Sequence, residues 1–215
     1  MELDADSDGR RARGAASRAA ILEAATSLFC GHGYSATGMS AIATAAGVHS
    51  GSIYHAFGSK QRLLDAVMDS VADRTFAAVD RVVVETTSTL SGRLTDTARV
   101  LVSDPDFLRL FLLLALERSD DADVRMTVER VRTRARSVVV AALEPTLAGL
   151  DPAIRDVAAD LVGRLALILL DGVFVSQQLD SELADLDATL ALVTGVADLA
   201  LSQLTAIVPA TQPPP

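Results

Sequence analysis

From Ser17 onward, apolar residues recur at steps of three and four. Ile21, Ala24, Ala25, Leu28 and Phe29 fall on one stripe, the spacing of an amphipathic helix. "CGHGY" (30–34) ends it, with Gly31 or Gly33 able to take the left-handed C-cap conformation. Thr37 is placed to N-cap a short second helix that runs to Ala46. Gly47 breaks that helix, and a third short helix covers roughly Ser50 to Phe57. "GSK" (58–60) then precedes a long helix starting near Gln61. Further breaks fall at "TTSTLSG" (86–92), "SDPD" (103–106), "SDDAD" (119–123), "AGLDP" (148–152) and "DSELAD" (180–185). They predict about six helices after residue 60. "SVVVAAL" (137–143) would pass as a strand alone, but its flanks "VERVRTRAR" and "EPTL" favour helix. No alternating pattern of useful length occurs, so the expected fold is all-α with about nine helices in total.

The ends read differently. Residues 1–16 are charged, Gly/Ala-rich and without periodicity, which predicts a disordered arm. Residues 208–215 form a Pro-rich tail, also expected to be disordered. Between them lie two expected domains, 17–62 and 63–207. Half the residues are hydrophobic, mostly Ala, Leu and Val, with only 4% aromatics and no Trp, a composition that suits helix packing. The longest apolar run, "LALILL" (165–170), is interrupted by Asp171, so no membrane span is expected. The N-terminus shows no hydrophobic core of a secretory signal, and one cysteine, Cys30, permits no intrachain disulfide. A cytoplasmic location is the expectation. The net charge of −9 hides an asymmetry. Residues 9–62 carry five Arg and Lys60 against Glu23 alone, a net +5, whereas residues 63–215 carry 13 Arg against 23 acids, a net −10. Local sign decides whether an anionic partner is attracted, so the first segment suits DNA.

The stretch "IATAAGVHSGSIYHAF" (42–57) sharpens that expectation. Ile42, Ala43 and Ala46 give one short helix an apolar, small-residue face, and Gly47 supplies the turn. At about 100° per residue from Ser50, Tyr54, Gly51 and His55 fall near 40°, 100° and 140°, and Ile53 and Phe57 near 300° and 340°. Ile53 and Phe57 therefore point inward, while Gly51, Tyr54 and His55 point outward. Small residues let the backbone enter a groove, and Tyr and His offer hydrogen-bonding tips. This is the pattern of a helix-turn-helix whose second helix enters the major groove of DNA.

The sequence from Ala19 to Asp69, about a quarter of the chain, resembles the DNA-binding domain of the TetR family of transcriptional regulators. The shared pattern includes "LF..GHGY", "IA..AGV" and "G.IY..F.SK..LL.AV". The resemblance implies an N-terminal three-helix helix-turn-helix domain followed by a larger helical ligand-binding and dimerisation domain. It implies a repressor that binds a palindromic operator as a homodimer and leaves it when a small effector binds. It implies that Thr37 caps the second helix near phosphate, and that Ser50, Gly51 and Ser52 open the groove-facing helix. Tyr54 and His55 then reach phosphate or base, and Lys60 takes the place of a phosphate-binding lysine. With Ser40 and His49 these form the candidate DNA-binding set. Ser40 stands where some members carry a base-reading arginine, and Ala56 replaces a frequent histidine. Arg10, Arg11 and Arg13 either add contacts to DNA or form a solvated tail.

Other chemistry is weakly signalled. His32, His49 and His55 do not make a metal set with Cys30, and "GHG" (31–33) precedes no P-loop lysine. Asp120 and Asp121 suit a helix cap better than paired catalytic carboxylates, and no Ser-His-acid spacing is recognisable. No enzyme, cofactor or metal site is expected. The apolar helices at 106–119 and 165–180 suggest an effector pocket from Phe107, Phe111, Leu114, Phe174, Gln177 and Gln178, suited to an apolar or amphipathic molecule. Control by a protein partner, with no small effector, is the alternative. Leu190, Val193, Ala197, Ala200 and Leu204 follow alternating steps of three and four, which predicts a dimer seam. Ile168 and Gly172 are its expected counterparts on the preceding helix. Leu192, Val196 and Leu199 form a second apolar line on another face.

Overall fold

The computed structural model describes residues 3–85, 90–117, 120–148, 151–179 and 185–207. They form nine α-helices, and no strand occurs among the described residues. The helices are α1 (Leu3–His32), α2 (Met39–Ala45), α3 (Ser50–Phe57), α4 (Lys60–Glu85), α5 (Leu90–Ser103), α6 (Pro105–Glu117), α7 (Ala122–Leu147), α8 (Pro152–Leu179) and α9 (Leu186–Ile207). The all-α expectation holds, and "SVVVAAL" is helical within α7. The Pro-rich tail lies outside the described residues.

Short polar residues stop and start these helices. Gly33 (φ 83°), rather than Gly31, takes the left-handed position after α1, and its N–H bonds the Phe29 carbonyl. The Asp121 carboxylate accepts from the N–H groups of Asp123 and Val124, which makes it the cap of α7. The Asp185 carboxylate does the same for Ala188 at the start of α9. The N-terminus differs from expectation: α1 begins at Leu3, so residues 3–16 are helical. Ala and Arg are strong helix formers. The acids of residues 2–8 also precede the arginines, the order the helix dipole favours.

The chain divides into two compact units, Met1–Asp73 with Arg109–Val131, and Arg74–Leu108 with Arg132–Pro215. The expected boundary after Arg62 thus falls inside the first unit. Leu63, Leu64, Val67 and Met68 of α4 are buried there, as are Val124, Thr127 and Val131 of α7. Thr127 donates its hydroxyl to the Asp65 carboxylate, and Arg130 pairs with Asp69.

In the second unit the core dominates the energetics. Phe76 and Phe107 meet edge to face at 5.5 Å, and Arg134 lies over the Phe76 ring. At Gly163 an added Cβ would come within 3.0 Å of Val140, so α7 and α8 approach closely there. Ion pairs edge the core: Arg132–Asp171 and Arg136–Asp160 join α7 to α8, and Arg99–Asp187 joins α5 to α9. The Asp187 carboxylate holds the Arg99 guanidinium pKa above its ordinary value. Such exposed pairs contribute at most about 1 kcal/mol each. Among the described residues no helix is long and apolar enough to cross a membrane.

The two apolar lines on α9 differ in burial among the described residues. Leu190 is fully buried in its own protomer and Val193 is half-buried, whereas Leu192, at 75% exposure, Val196 and Leu199 face outward. On α8, Ile168 is 63% exposed, in line with Val157, Leu161, Val175 and Leu179, and Gly172 is exposed among them. The side chains of Ala197, Ala200 and Leu204 lie outside the described ones. Both α9 lines have helical spacing. Burial of Leu190, with Thr194 beside it, against α5 decides which one faces inward.

Candidate nucleic-acid interface

The first unit builds a helix-turn-helix from short-range bonds. Tyr34 is buried just after α1, its ring edge-on to Phe29 at 5.3 Å. Thr37 is buried too, and its hydroxyl donates to the Gly33 carbonyl at 2.8 Å, with the Leu28 carbonyl at 3.2 Å. The expected cap role is therefore corrected. Gly38, in extended conformation and accepting the Ile42 N–H, is the N-cap of α2. Thr37 ties the loop to the end of α1, because its backbone lies one residue too early to cap.

Helix α2 ends in a Schellman turn. The Val48 N–H bonds the Ala43 carbonyl and the Gly47 N–H bonds the Thr44 carbonyl, with Gly47 at φ 65°. That turn redirects the chain into α3, whose Ile53 and Phe57 are buried. Gly51, Ser52, Tyr54 (52% exposed) and His55 face outward, Ser50 is half-buried, and His49 and Ser40 are exposed. The inward and outward sets match the expected helical angles. Gly58, at φ 81°, closes α3 with its N–H on the Tyr54 carbonyl.

Two cations brace this frame. The Lys60 ammonium lies 4.4 Å from the Tyr34 ring centroid and donates to the Ser35 carbonyl at 3.4 Å. It stands at the start of α4, beside the α1–α2 loop. The Arg18 guanidinium lies 4.3 Å over the Phe57 ring and donates to the Ala56 carbonyl at 3.4 Å. Arg18 thus joins α1 to the end of α3. Sequence spacing gives no sign of this, since 38 residues separate Arg18 from Ala56. The side chains of Arg10 and Arg11 lie outside the described ones, and Arg13 is exposed.

The description "Bacterial regulatory proteins, tetR family" matches residues 21–67, which span the end of α1, the helix-turn-helix and the start of α4. Over this segment the chain is similar to the TetR family. It is 36% identical over 98 residues to the HTH-type transcriptional repressor KstR2 of Rhodococcus jostii (strain RHA1). That alignment covers 46% of this chain and 45% of the repressor, so it spans less than half of that relative's length. Solved structures share the fold over most of the chain. The fatty acid degradation regulator FadR from Bacillus halodurans has a TM-score of 0.67 and 21% identity, over 84% of this chain and 94% of that one. FadR from Bacillus subtilis, in complex with stearoyl-CoA, has a TM-score of 0.63 and 18% identity, over 88% and 98%.

The six residues expected to form an effector pocket are divided between the two units. Phe107 and Phe174 are buried in the second unit, and Phe111 and Leu114 in the first. Gln177 is half-buried and Gln178 exposed. None lines the described cavity of the second unit, where Thr97, Leu170 and Thr194 stand, nor the open cleft of about 540 Å³ by Arg74, Arg81 and Arg99. Aromatic residues on an all-round apolar helix are core here. The cavity lies beside small, β-branched and leucine residues, which carry no distinctive sequence signal.

Proposed function

We propose that this protein is a transcriptional repressor, acting in the cytoplasm, which binds a palindromic operator as a homodimer and is released by an apolar or amphipathic effector. The single observation that carries the reading is the TetR-type segment at 21–67 combined with the exposed row Gly51, Ser52, Tyr54 and His55 on α3. Small residues at the helix start allow close approach to base edges, and the longer Tyr54 and His55 reach phosphate or base. Lys60 and Tyr54 anchor the helix to phosphates, while Ser50 and Ser52 influence sequence preference. Ser40 and His49, both exposed, complete the set, and Thr37 acts only by holding the loop. The repressor KstR2 among the relatives supports the sign of regulation. The FadR complex with stearoyl-CoA supports a mainly apolar effector held in the helical second unit.

One recognition helix reads few base pairs, and two related by a two-fold axis read a palindrome. The exposed stripes of α8 and α9 supply the surface for that dimer. Ile168, Val175 and Leu179 continue Val157 and Leu161 along α8, and Leu192, Val196 and Leu199 run along α9. Apolar area of this extent in two adjacent helices is the mark of an interface. In vitro selection of bound DNA from a random library tests the reading. The expected product is a palindrome, and recovery of no enriched sequence would contradict it.

A further inference from the structure

In the second unit a cavity of about 20 Å³ lies among α5, α7, α8 and α9, next to Thr97, Val139, Ala166, Leu170, Val193 and Thr194. No charged side chain lines it. Thr97 is 1% exposed, and its hydroxyl has no hydrogen-bond partner among the described residues. A buried hydroxyl without a partner weakens a fold, and an apolar group of similar shape would remove that cost. Thr194 is differently placed. Its hydroxyl donates to the Leu190 carbonyl at 3.0 Å, with the Ala191 carbonyl at 3.2 Å, and its oxygen accepts from Thr95 at 3.3 Å. Its hydrogen is thus committed, while one lone pair remains.

These observations specify a ligand group. Thr97 is able to donate, and Thr194 is able only to accept. One hydroxyl satisfies both, since it accepts and donates at once, whereas an ether or ketone oxygen serves Thr97 alone. An ionised group is excluded because nothing in the lining offsets the loss of its hydration. A volume of about 20 Å³ holds one group the size of water. Leu169 and Val193 are the half-buried lining residues, so the cavity opens beside them. We propose that this cavity receives the terminal hydroxyl of a neutral aliphatic alcohol, its carbon skeleton leaving past Leu169 and Val193. The proposal rests on the effector-controlled reading above and names the chemistry at one end of the effector.

The test uses the full chain labelled with 13C at threonine methyl groups and titrated with 1-hexanol, hexyl methyl ether and hexanoate. Saturable shifts of the Thr97 and Thr194 methyl signals are expected with 1-hexanol, about tenfold weaker binding with the ether and none with hexanoate. In Thr194→Val, with Thr97 as reporter, the preference for alcohol over ether should fall to about onefold, because the alcohol loses the acceptor that the ether never used. In Thr97→Val the melting temperature should rise by about 2–4 °C, because an unpaired hydroxyl is removed. A fall in melting temperature would show that a structural water satisfies Thr97, and would overturn the proposal. Equal binding of alcohol and ether by the wild type, or an unchanged preference in Thr194→Val, would overturn it too. Selection of operator DNA by the wild type separates the two levels. An operator bound normally without an alcohol response at Thr97 defeats this inference alone, and absence of any operator defeats the function on which it rests.

Discussion

Gly47 sets the angle between α2 and α3 through its positive φ, and an added Cβ there would meet no atom within 4 Å. The cost of Gly47→Ala is therefore backbone strain alone, roughly 1–2 kcal/mol. Urea denaturation should show that loss, and a stability equal to wild type would refute the turn's dependence on glycine. Lys60 is a different kind of residue, since its removal leaves the hydrophobic frame of Tyr34 and Phe29 in place. In Lys60→Ala, DNA binding should weaken on operator and non-operator sequences alike. The slope of log K against log salt should flatten by about one per lost phosphate contact in each half-site. Fluorescence anisotropy across a salt series reads both, and an unchanged slope would remove Lys60 from the phosphate contacts. At this scale the sequence was legible where periodicity alone decides, as with Ile53 and Phe57 inward and Tyr54 outward. It was not legible for Thr37, whose partners are carbonyls at the end of α1, or for Thr97, whose unpaired hydroxyl emerges only when four helices meet.

Helix boundaries were legible because Gly, Asp and Ser stop and start helices through local bonds, as Gly33, Asp121 and Asp185 do. The face that each helix buries was harder. On α9, Leu190 and Val193 share a three-and-four spacing, and so do Leu192, Val196 and Leu199 one face away. Spacing finds both stripes but does not say which meets the protomer's own α5. The structure makes the two lines experimentally separable. Leu190→Arg places a charge in a fully buried site and should unfold the protomer, seen as loss of helical circular dichroism at 25 °C. Leu192→Arg and Ile168→Arg charge exposed positions, so helicity should be kept. Analytical ultracentrifugation at micromolar concentration should then give the monomer mass for those two variants and twice that mass for the wild type. A folded, dimeric Ile168→Arg, Leu192→Arg double variant would rule out the α8–α9 dimer.

Across the whole molecule, the charge asymmetry has a simple consequence. DNA is attracted by residues 9–62, of net +5, and repelled by residues 1–8, of net −4, and 63–215, of net −10, so the chain as a whole gains little from non-specific attraction. Under the proposed function, discrimination then depends on the contacts of α3 and on their spacing in the proposed dimer, the quantity an effector would change. The boundaries of the two units fall inside α4, α6 and α7, so the chain passes from one unit to the other within helices. Coupling between the two ligands must obey reciprocity. An effector that weakens operator binding tenfold has a coupling free energy of about 1.4 kcal/mol, and operator DNA must weaken effector binding by the same tenfold. Isothermal titration of the effector into free protein and into protein saturated with selected operator measures both sides of that cycle. The expected result is a tenfold weaker affinity in the DNA complex for every tenfold loss of operator affinity. Equal effector affinities in the two titrations would exclude release by allostery, whatever the effector's own affinity, because a ligand indifferent to the two states shifts neither.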